Sequence, residues 1–323
     1  MNGVVRTLST VSGELAAMGY VVEVIGPDRF RTVPCPTYPD IRLSLLPRRR
    51  LGRMIQDFAP DALHISTEGP LGIAARAWAL RRGKPFTTAF HTRFPEYVQA
   101  RTGLPTRPLY AWLRRFHGAG EATMVATASL REDLIGRGFR HVRAWTRGVD
   151  LELFRPEPRE EWDLPRPVFI YVGRVAVEKN IAAFLDLDLP GSKVVVGGGP
   201  QLASLKRRYP GVHFAGPRQG GPLARAYAGA DVFVFPSLTD TFGLVILESL
   251  ACGTPVAAFP VTGPRDVLAD ADGMIGAMDP DLRAAALRAL DADRAACRAH
   301  AERFSWRACA EAFAGNLAPF APK

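Results

Sequence analysis

The sequence has 323 residues, of which 47% are apolar, 9% aromatic and 23% charged. That is room for two domains of ordinary size, and it excludes a disordered chain, a collagen-like repeat and a small disulfide-stapled protein. The net charge is +9, with 36 Arg against 5 Lys.

The chain opens with helical spacing over residues 4–18 (Val4, Leu8, Val11, Leu15, Met18), ending at Gly19 as a C-cap. Residues 20–27 predict a buried strand closed by Gly26-Pro27. A helix over 49–58 precedes a strand over 62–66, a helix over 71–82 precedes a strand over 86–90, and a helix over 110–118 precedes a strand over 124–127. Ser129 is the expected cap of a helix over 130–137. The proline-rich stretch 157–167 reads as a linker, and the pattern then restarts. Strands are predicted over 168–172, 193–196, 212–214, 231–236 and 255–259, with helices over 244–251, 282–290 and 306–317. Strands separated by helices predict β-α-β units and two doubly wound, mostly parallel α/β domains. Ligands in such sheets collect at the carboxyl ends of the strands.

No apolar run approaches the roughly 20 residues of a membrane-spanning helix, and the N-terminus lacks the basic-then-apolar order of a signal peptide. Cys35, Cys252, Cys297 and Cys309 are scattered without C-x-x-C spacing. They are expected to be thiols of a cytoplasmic protein rather than zinc ligands or disulfides.

The charge is uneven. Residues 1–150 hold 22 basic and 12 acidic side chains, residues 151–323 hold 19 and 20. The excess gathers at Arg48, Arg49, Arg50 and Arg53, at Arg76, Arg81, Arg82 and Lys84, and at Arg101, Arg107, Arg114 and Arg115. Phe94, Tyr97, Tyr110, Trp112 and Phe116 are interleaved with the last group. A basic face with aromatic neighbours suits an anionic membrane surface. It would also attract nucleic acid, and a plain solvated surface on an Arg-rich chain is the remaining alternative.

Three segments of the second half carry chemistry. Gly173-Arg174-Val175-Ala176-Val177-Glu178-Lys179-Asn180 follows a strand, where a glycine turn feeding a helix would offer N–H groups to an anion and two cations would serve a diphosphate. In Asp240-Thr241-Phe242-Gly243-Leu244-Val245-Ile246-Leu247-Glu248, two acids stand eight residues apart, the second a turn inside a helix that opens near Gly243. One carboxylate can accept sugar hydroxyls and the other ribose hydroxyls. Gly197-Gly198-Gly199-Pro200 follows a strand and allows close backbone approach to a ligand, or a plain tight turn.

Taken in order, these blocks, with Cys252-Gly253-Thr254-Pro255-Val256, resemble the retaining glycosyltransferases of family 4. Asn2-Gly3-Val4-Val5-Arg6, Phe90-His91-Thr92-Arg93-Phe94-Pro95-Glu96-Tyr97 and Arg147-Gly148-Val149-Asp150 with Phe154 extend the resemblance over essentially the whole chain. The His91 segment is most similar to GDP-mannose-dependent α-mannosyltransferases and sulfoquinovosyl-diacylglycerol synthases. The resemblance implies the GT-B fold, two Rossmann-like domains facing a cleft. An acceptor-side domain over 1–150 and a donor-side domain over 151–303 are then expected, with a C-terminal helix over 304–323 crossing back to the first. Family members begin with a further strand ahead of Asn2-Gly3, so the N-terminal domain is expected to lack its first strand here and translation to start upstream.

The resemblance also implies roles. Gly173, Arg174 and Lys179 bind the donor diphosphate, and Glu248 the nucleotide ribose. The backbone of Phe242, Gly243, Leu244 and Val245 meets sugar and phosphate, and Gly3 lies near phosphate and acceptor. His91 and Asp240 are the catalytic pair at the transferred sugar, although Asp240 stands where the family usually has Glu, one methylene longer. The remaining histidines (His64, His117, His141, His213, His300) read as structural.

The implied donor is a nucleotide sugar, most of all GDP-mannose, and no cofactor or metal is expected. The D-x-D strings at Asp186 and Asp188 and at Asp291 and Asp293 lie away from the motifs. The implied acceptor is a lipid or lipid-linked glycan at the cytoplasmic membrane face. That moves the expected partner of the basic half from nucleic acid to a membrane surface, with the protein cytoplasmic and peripheral. Alternatives are a UDP-sugar-dependent glycolipid synthase of sulfoquinovosyl or glucuronosyl type, a catalytically weak nucleotide-sugar-binding protein, and an epimerase or phosphorylase on the same fold.

Overall fold

The computed structural model describes residues 3–35, 38–157 and 162–320. It separates into two compact units, one of Met1–Thr146 with Cys309–Lys323, the other Arg147–Ala308. The sequence divides the chain after residues 150 and 303 instead. Residues 147–150 go with the second unit because Val149 N–H bonds to Phe304 O (3.1 Å) and Gly148 lies against the Trp306 backbone. Part of the proline-rich linker, residues 158–161, and the predicted Asn2 lie outside the described residues.

In the first unit, α1 (Gly3–Ala17) leads to an antiparallel hairpin of β1 (Thr32–Cys35) and β2 (Tyr38–Ser44), then α2 (Arg48–Phe58). A parallel sheet follows in chain order, built from β3 (His64–Ile65), α3 (Pro70–Arg81), β4 (Thr87–Ala89), α4 (Phe94–Thr102), α5 (Thr106–His117), β5 (Ala122–Val125), α6 (Ala128–Gly136) and β6 (Val142–Ala144). The strand expected over 20–27 does not form. Residues 20–26 are coil, with Tyr20 49% and Val21 84% exposed. An apolar segment becomes a strand only where a neighbour supplies ladder hydrogen bonds, and among the described residues none pairs with it. The cap of α6 also differs. Thr127, in extended conformation, accepts the Leu130 N–H (3.3 Å), and Ser129 lies in the first turn.

The second unit has six parallel strands. They are β7 (Val168–Val172), β8 (Ser192–Val196), β9 (His213–Gly216), β10 (Val232–Phe235), β11 (Val256–Ala258) and β12 (Gly276–Met278), in spatial order β12-β11-β10-β7-β8-β9. The crossovers carry α7 (Ile181–Leu185), α8 (Leu202–Arg208), α9 (Gly220–Gly229), α10 (Leu244–Ala251) and α11 (Pro264–Leu268), and α12 (Leu282–Arg288), α13 (Arg294–Ala301) and α14 (Trp306–Asn316) close the chain. Every residue of β7, β10 and β11 is buried, as continuous apolar strands require when helices cover both faces of a parallel sheet. The core joins Phe169, Tyr171 and Val195 of the sheet to Phe184 and Leu185 of α7.

The strand order makes β7 and β10 the switch point: the chain winds outward through β8 and β9, then returns to the other side of β7. Their carboxyl ends are therefore where this sheet offers a crevice. Backbone packing there is tight. Gly197, at φ +152°, would place a Cβ 1.8 Å from Gly173 O. Gly197→Ala is expected to lower the unfolding free energy by about 2 kcal/mol or more, measured by denaturant unfolding against Gly198→Ala, where a Cβ meets nothing within 4 Å.

Candidate active site

The loops after β7 and β8 are laced backbone to backbone. Gly173 N–H bonds to Val196 O (3.0 Å), Val175 N–H to Gly198 O (2.9 Å) and Gln201 N–H to Val175 O (3.1 Å). Tyr171 Oη donates to Arg174 O (2.8 Å), which holds the turn that presents the half-buried Arg174 side chain. One expectation is corrected. The Gly173 turn does not feed a helix directly. A 3-10 turn (Val177–Lys179) and Asn180 at φ +52° come first, and α7 is only five residues long. Asn180 Nδ2 donates to Pro236 O (3.1 Å), so the residue that interrupts the helix ties this loop to the one after β10. An anion at the Gly173 turn would thus meet the side chains of Arg174 and Lys179 rather than the first turn of a helix.

The loop after β10 is drawn onto the same place. Ser237 and Thr239 hydroxyls donate to Glu178 O (3.5 Å each), and Lys179 Nζ makes a hydrogen-bonded ion pair with Asp240 Oδ1. The two side chains retain 22% and 14% of their exposure. Two motifs 61 residues apart thus meet across the β7–β10 switch point. At that burial each charge depends on the other, because a lone desolvated charge is costly.

Phe242 is buried, with its ring 6.4 Å from Phe304, and Gly243 caps α10 in left-handed conformation (φ +86°). Leu244 and Val245 form the half-buried first turn, where backbone N–H groups lack intrahelical acceptors. Glu248 is five residues into the helix and 3% exposed, and its Oε2 accepts from Tyr227 Oη on α9 (3.2 Å). Its carboxylate and burial together push the Cys252 thiol up to about 12, burial being the larger cause. Cys252 therefore stays protonated and is no nucleophile.

The loop over 259–263 was not singled out from sequence. Gly263, at φ +92°, lies so close under the 240–243 loop that a Cβ would stand 2.8 Å from Phe242 O. The available signal was Gly263-Pro264, which marks a tight turn into a helix.

Gly3 and His91 belong to the first unit. Gly3 is the exposed first residue of α1. His91 follows β4 and meets the Trp145 ring edge-on, centroids 5.6 Å apart at 71°. His117 is locked between Thr88 Oγ1 (2.9 Å) and Glu68 (3.0 Å), and His300 Nε2 bonds to Val267 O (2.8 Å), its pKa lowered by burial. Asp293 caps α13 through the Ala295 N–H (2.8 Å), and Asp186 accepts from Tyr209 Oη (2.5 Å). Among the described residues no group of three or more His, Cys, Asp or Glu is arranged to hold a metal.

This is an α/β protein of the class that gathers its working side chains at a sheet's switch point. A model described as Glycosyltransferase Family 4 matches residues 1–153, and one described as Glycosyl transferases group 1 matches residues 166–293. A GDP-mannose-dependent alpha-mannosyltransferase of Mycobacterium tuberculosis is 32% identical over 83% of this chain and 78% of its own length. A sulfoquinovosyl transferase of Arabidopsis thaliana is 33% identical over 90% of this chain, which spans 62% of that relative's length. Among solved structures, sucrose-phosphate synthase from Thermosynechococcus elongatus (TM-score 0.72, 22% identity, 97% of this chain and 92% of that one) shares the fold. So does HepE of Anabaena in complex with UDP and glucose (0.62, 15%, 82% and 80%). The fold is GT-B, and the chain belongs to the family 4 glycosyltransferases.

The Lys179–Asp240 pair can be tested on stability alone. Lys179→Met and Asp240→Asn are each expected to lower the unfolding free energy by about 1–3 kcal/mol, and the double variant by less than the sum of the two. Urea unfolding of the four proteins gives the coupling directly.

Proposed function

We propose that this protein is a retaining glycosyltransferase that moves a sugar, mannose from GDP-mannose in the first reading, to a lipid or lipid-linked glycan. The meeting of Lys179 and Asp240 at the switch point is the observation that carries this reading. It brings together a cation suited to a diphosphate and an acid suited to sugar hydroxyls in one crevice, as transfer from a nucleotide sugar needs.

In this reading Arg174 and Lys179 stabilise the departing diphosphate, aided by the first-turn N–H groups of Leu244 and Val245. Asp240 accepts hydroxyls of the transferred sugar and Glu248 those of the ribose. Gly173, Phe242 and Gly243 shape the backbone against the donor, Gly3 lies near the donor phosphate and the acceptor, and His91 stands beside the sugar. The bond from the anomeric carbon to the phosphate oxygen breaks as the acceptor oxygen bonds to that carbon from the same face. The acceptor proton passes to the leaving phosphate. Positioning and electrostatics supply the rate enhancement, and the two cations offset the diphosphate charge without a divalent ion.

A UDP-sugar donor is the second reading. The sulfoquinovosyl transferase relative, at 33% identity, is as similar as the mannosyltransferases at 32%. A panel of GDP-mannose, UDP-glucose, UDP-glucuronate and UDP-sulfoquinovose, with lipid extract as acceptor and EDTA present, separates them. Turnover with GDP-mannose that survives EDTA is expected; turnover with a UDP-sugar alone transfers the conclusion to the second reading. Nucleotide binding without any transfer would mark a binding protein instead.

The acceptor reading draws support from the surface of the first unit. Arg48, Arg49, Arg50 and Arg53 are exposed on α2, and Leu46, 95% exposed at φ +47°, stands just ahead of them. An apolar tip beside clustered cations suits an anionic bilayer, at about 1 kcal/mol per cation. Arg76 and Arg114 are less available, since each donates to backbone carbonyls. Among the described residues no helix is long and apolar enough to cross a membrane. Sedimentation with anionic liposomes is expected to show binding that weakens with salt and falls about tenfold or more when Arg48, Arg49 and Arg50 are changed to Gln. Unchanged binding in that variant would discard the α2 surface.

A further inference from the structure

We propose that Trp145 is the positioning residue for His91, and that the C-terminal helix sets it in place. This rests on the reading of His91 as a residue beside the transferred sugar.

Trp145 follows β6 and is fully buried. Its backbone N–H bonds to Val125 O (2.7 Å), and its indole Nε1–H donates to Cys309 O (3.2 Å). One face of α14 runs along this segment. Asn316 Nδ2 donates to Ala144 O (2.8 Å), the Phe313 ring lies 4.9 Å from the Trp145 ring, and Cys309 Sγ–H donates to Thr146 O (3.1 Å). Cys309, Phe313 and Asn316 are spaced i, i+4, i+7, the spacing of a single helical stripe. Three consecutive residues, Ala144, Trp145 and Thr146, are thus held by that stripe, Trp145 by both Cys309 and Phe313.

His64 closes the group from β3. Its ring meets Phe313 (4.8 Å, 70°) and Trp145 (6.0 Å, 76°), and its Nδ1 pairs with Thr87 Oγ1 (2.9 Å). The backbone of Trp145 is therefore fixed by one hydrogen bond, and its indole by another and by two rings, before it meets His91. An imidazole turns about a broad, two-fold terminal torsion, so the chain segment after β4 does not by itself fix the ring plane. The edge-on indole restricts it, because aromatic rings hold one another in preferred orientations. Trp145 touches no substrate in this scheme; it acts through His91.

The test uses the full chain and Trp145→Leu, Trp145→Phe, Phe313→Leu and His91→Ala variants. Trp145→Leu is expected to lower kcat about tenfold with donor KM unchanged within about twofold, and Trp145→Phe to restore most of it. The loss should vanish in the His91→Ala background, since both changes then remove one unit. Imidazole NMR should show the His91 resonance moving in Trp145→Leu while those of His213 and His300 stay. If Trp145→Leu does not fold, Phe313→Leu, which removes the ring behind the indole, carries the same comparisons. An equal loss of kcat with and without His91, or a His91 resonance that does not move, overturns the proposal. If His91→Ala transfers sugar normally, the role of His91 in transfer falls, and a crystal structure of Trp145→Leu, read for a rotated His91 ring, decides whether Trp145 holds it.

Discussion

The second unit is organised by one reversal in strand order. Because β10 returns to lie beside β7, the loops that leave both strands open at the same end of the sheet, and the helices that follow diverge to opposite faces. Charged side chains can gather there without lying inside the apolar core. The Lys179–Asp240 ion pair is the chemical expression of that topology. Each residue is brought to the other by a different crossover.

The surroundings explain why the pair is well placed. Gly197 and Gly199 let the turn after β8 approach the Gly173 and Val175 carbonyls more closely than side chains would permit. The Asn180 and Glu178 bonds to the 236–239 loop then fix the two halves of the crevice to each other. Behind them Glu248 lies in the α9–α10 contact, against Tyr227. Burying a carboxylate there opposes stability unless it is hydrogen-bonded. The Tyr227 hydroxyl supplies one such bond to the buried carboxylate.

The first unit works by different means. Its short parallel sheet places His91 at a strand end, and its aromatic cluster is completed by residues from the far end of the chain. The basic side chains divide into two groups. Arg76 and Arg114 satisfy backbone carbonyls, whereas Arg48, Arg49 and Arg53 are exposed on α2. Net charge read from composition counts both alike and so overstates what is available to a partner.

Much of this was legible in the sequence. The strand over 168–172 and the helix over 244–251 are found where their patterns place them, because continuous apolar runs bounded by Gly and Pro are local signals. The family blocks singled out Lys179, Asp240 and Glu248 by order and spacing, and Lys179 and Asp240 meet in the fold. Other features depended on contacts that no local pattern encodes. Residues 20–27 have a strand's composition but no neighbour to pair with among the described residues, Asn180 interrupts a helix in favour of a bond 56 residues away, and the 259–263 loop enters the site through backbone proximity alone. By itself, then, the sequence determined the α/β class, the family and which residues carry charge into the motifs, since these follow from periodicity and residue identity. Only the tertiary structure decided that Lys179 is paired with Asp240, that Glu248 is buried against Tyr227, and that Trp145 stands between His91 and the last helix. Those are through-space relations, set by strand order and packing between segments distant in the chain.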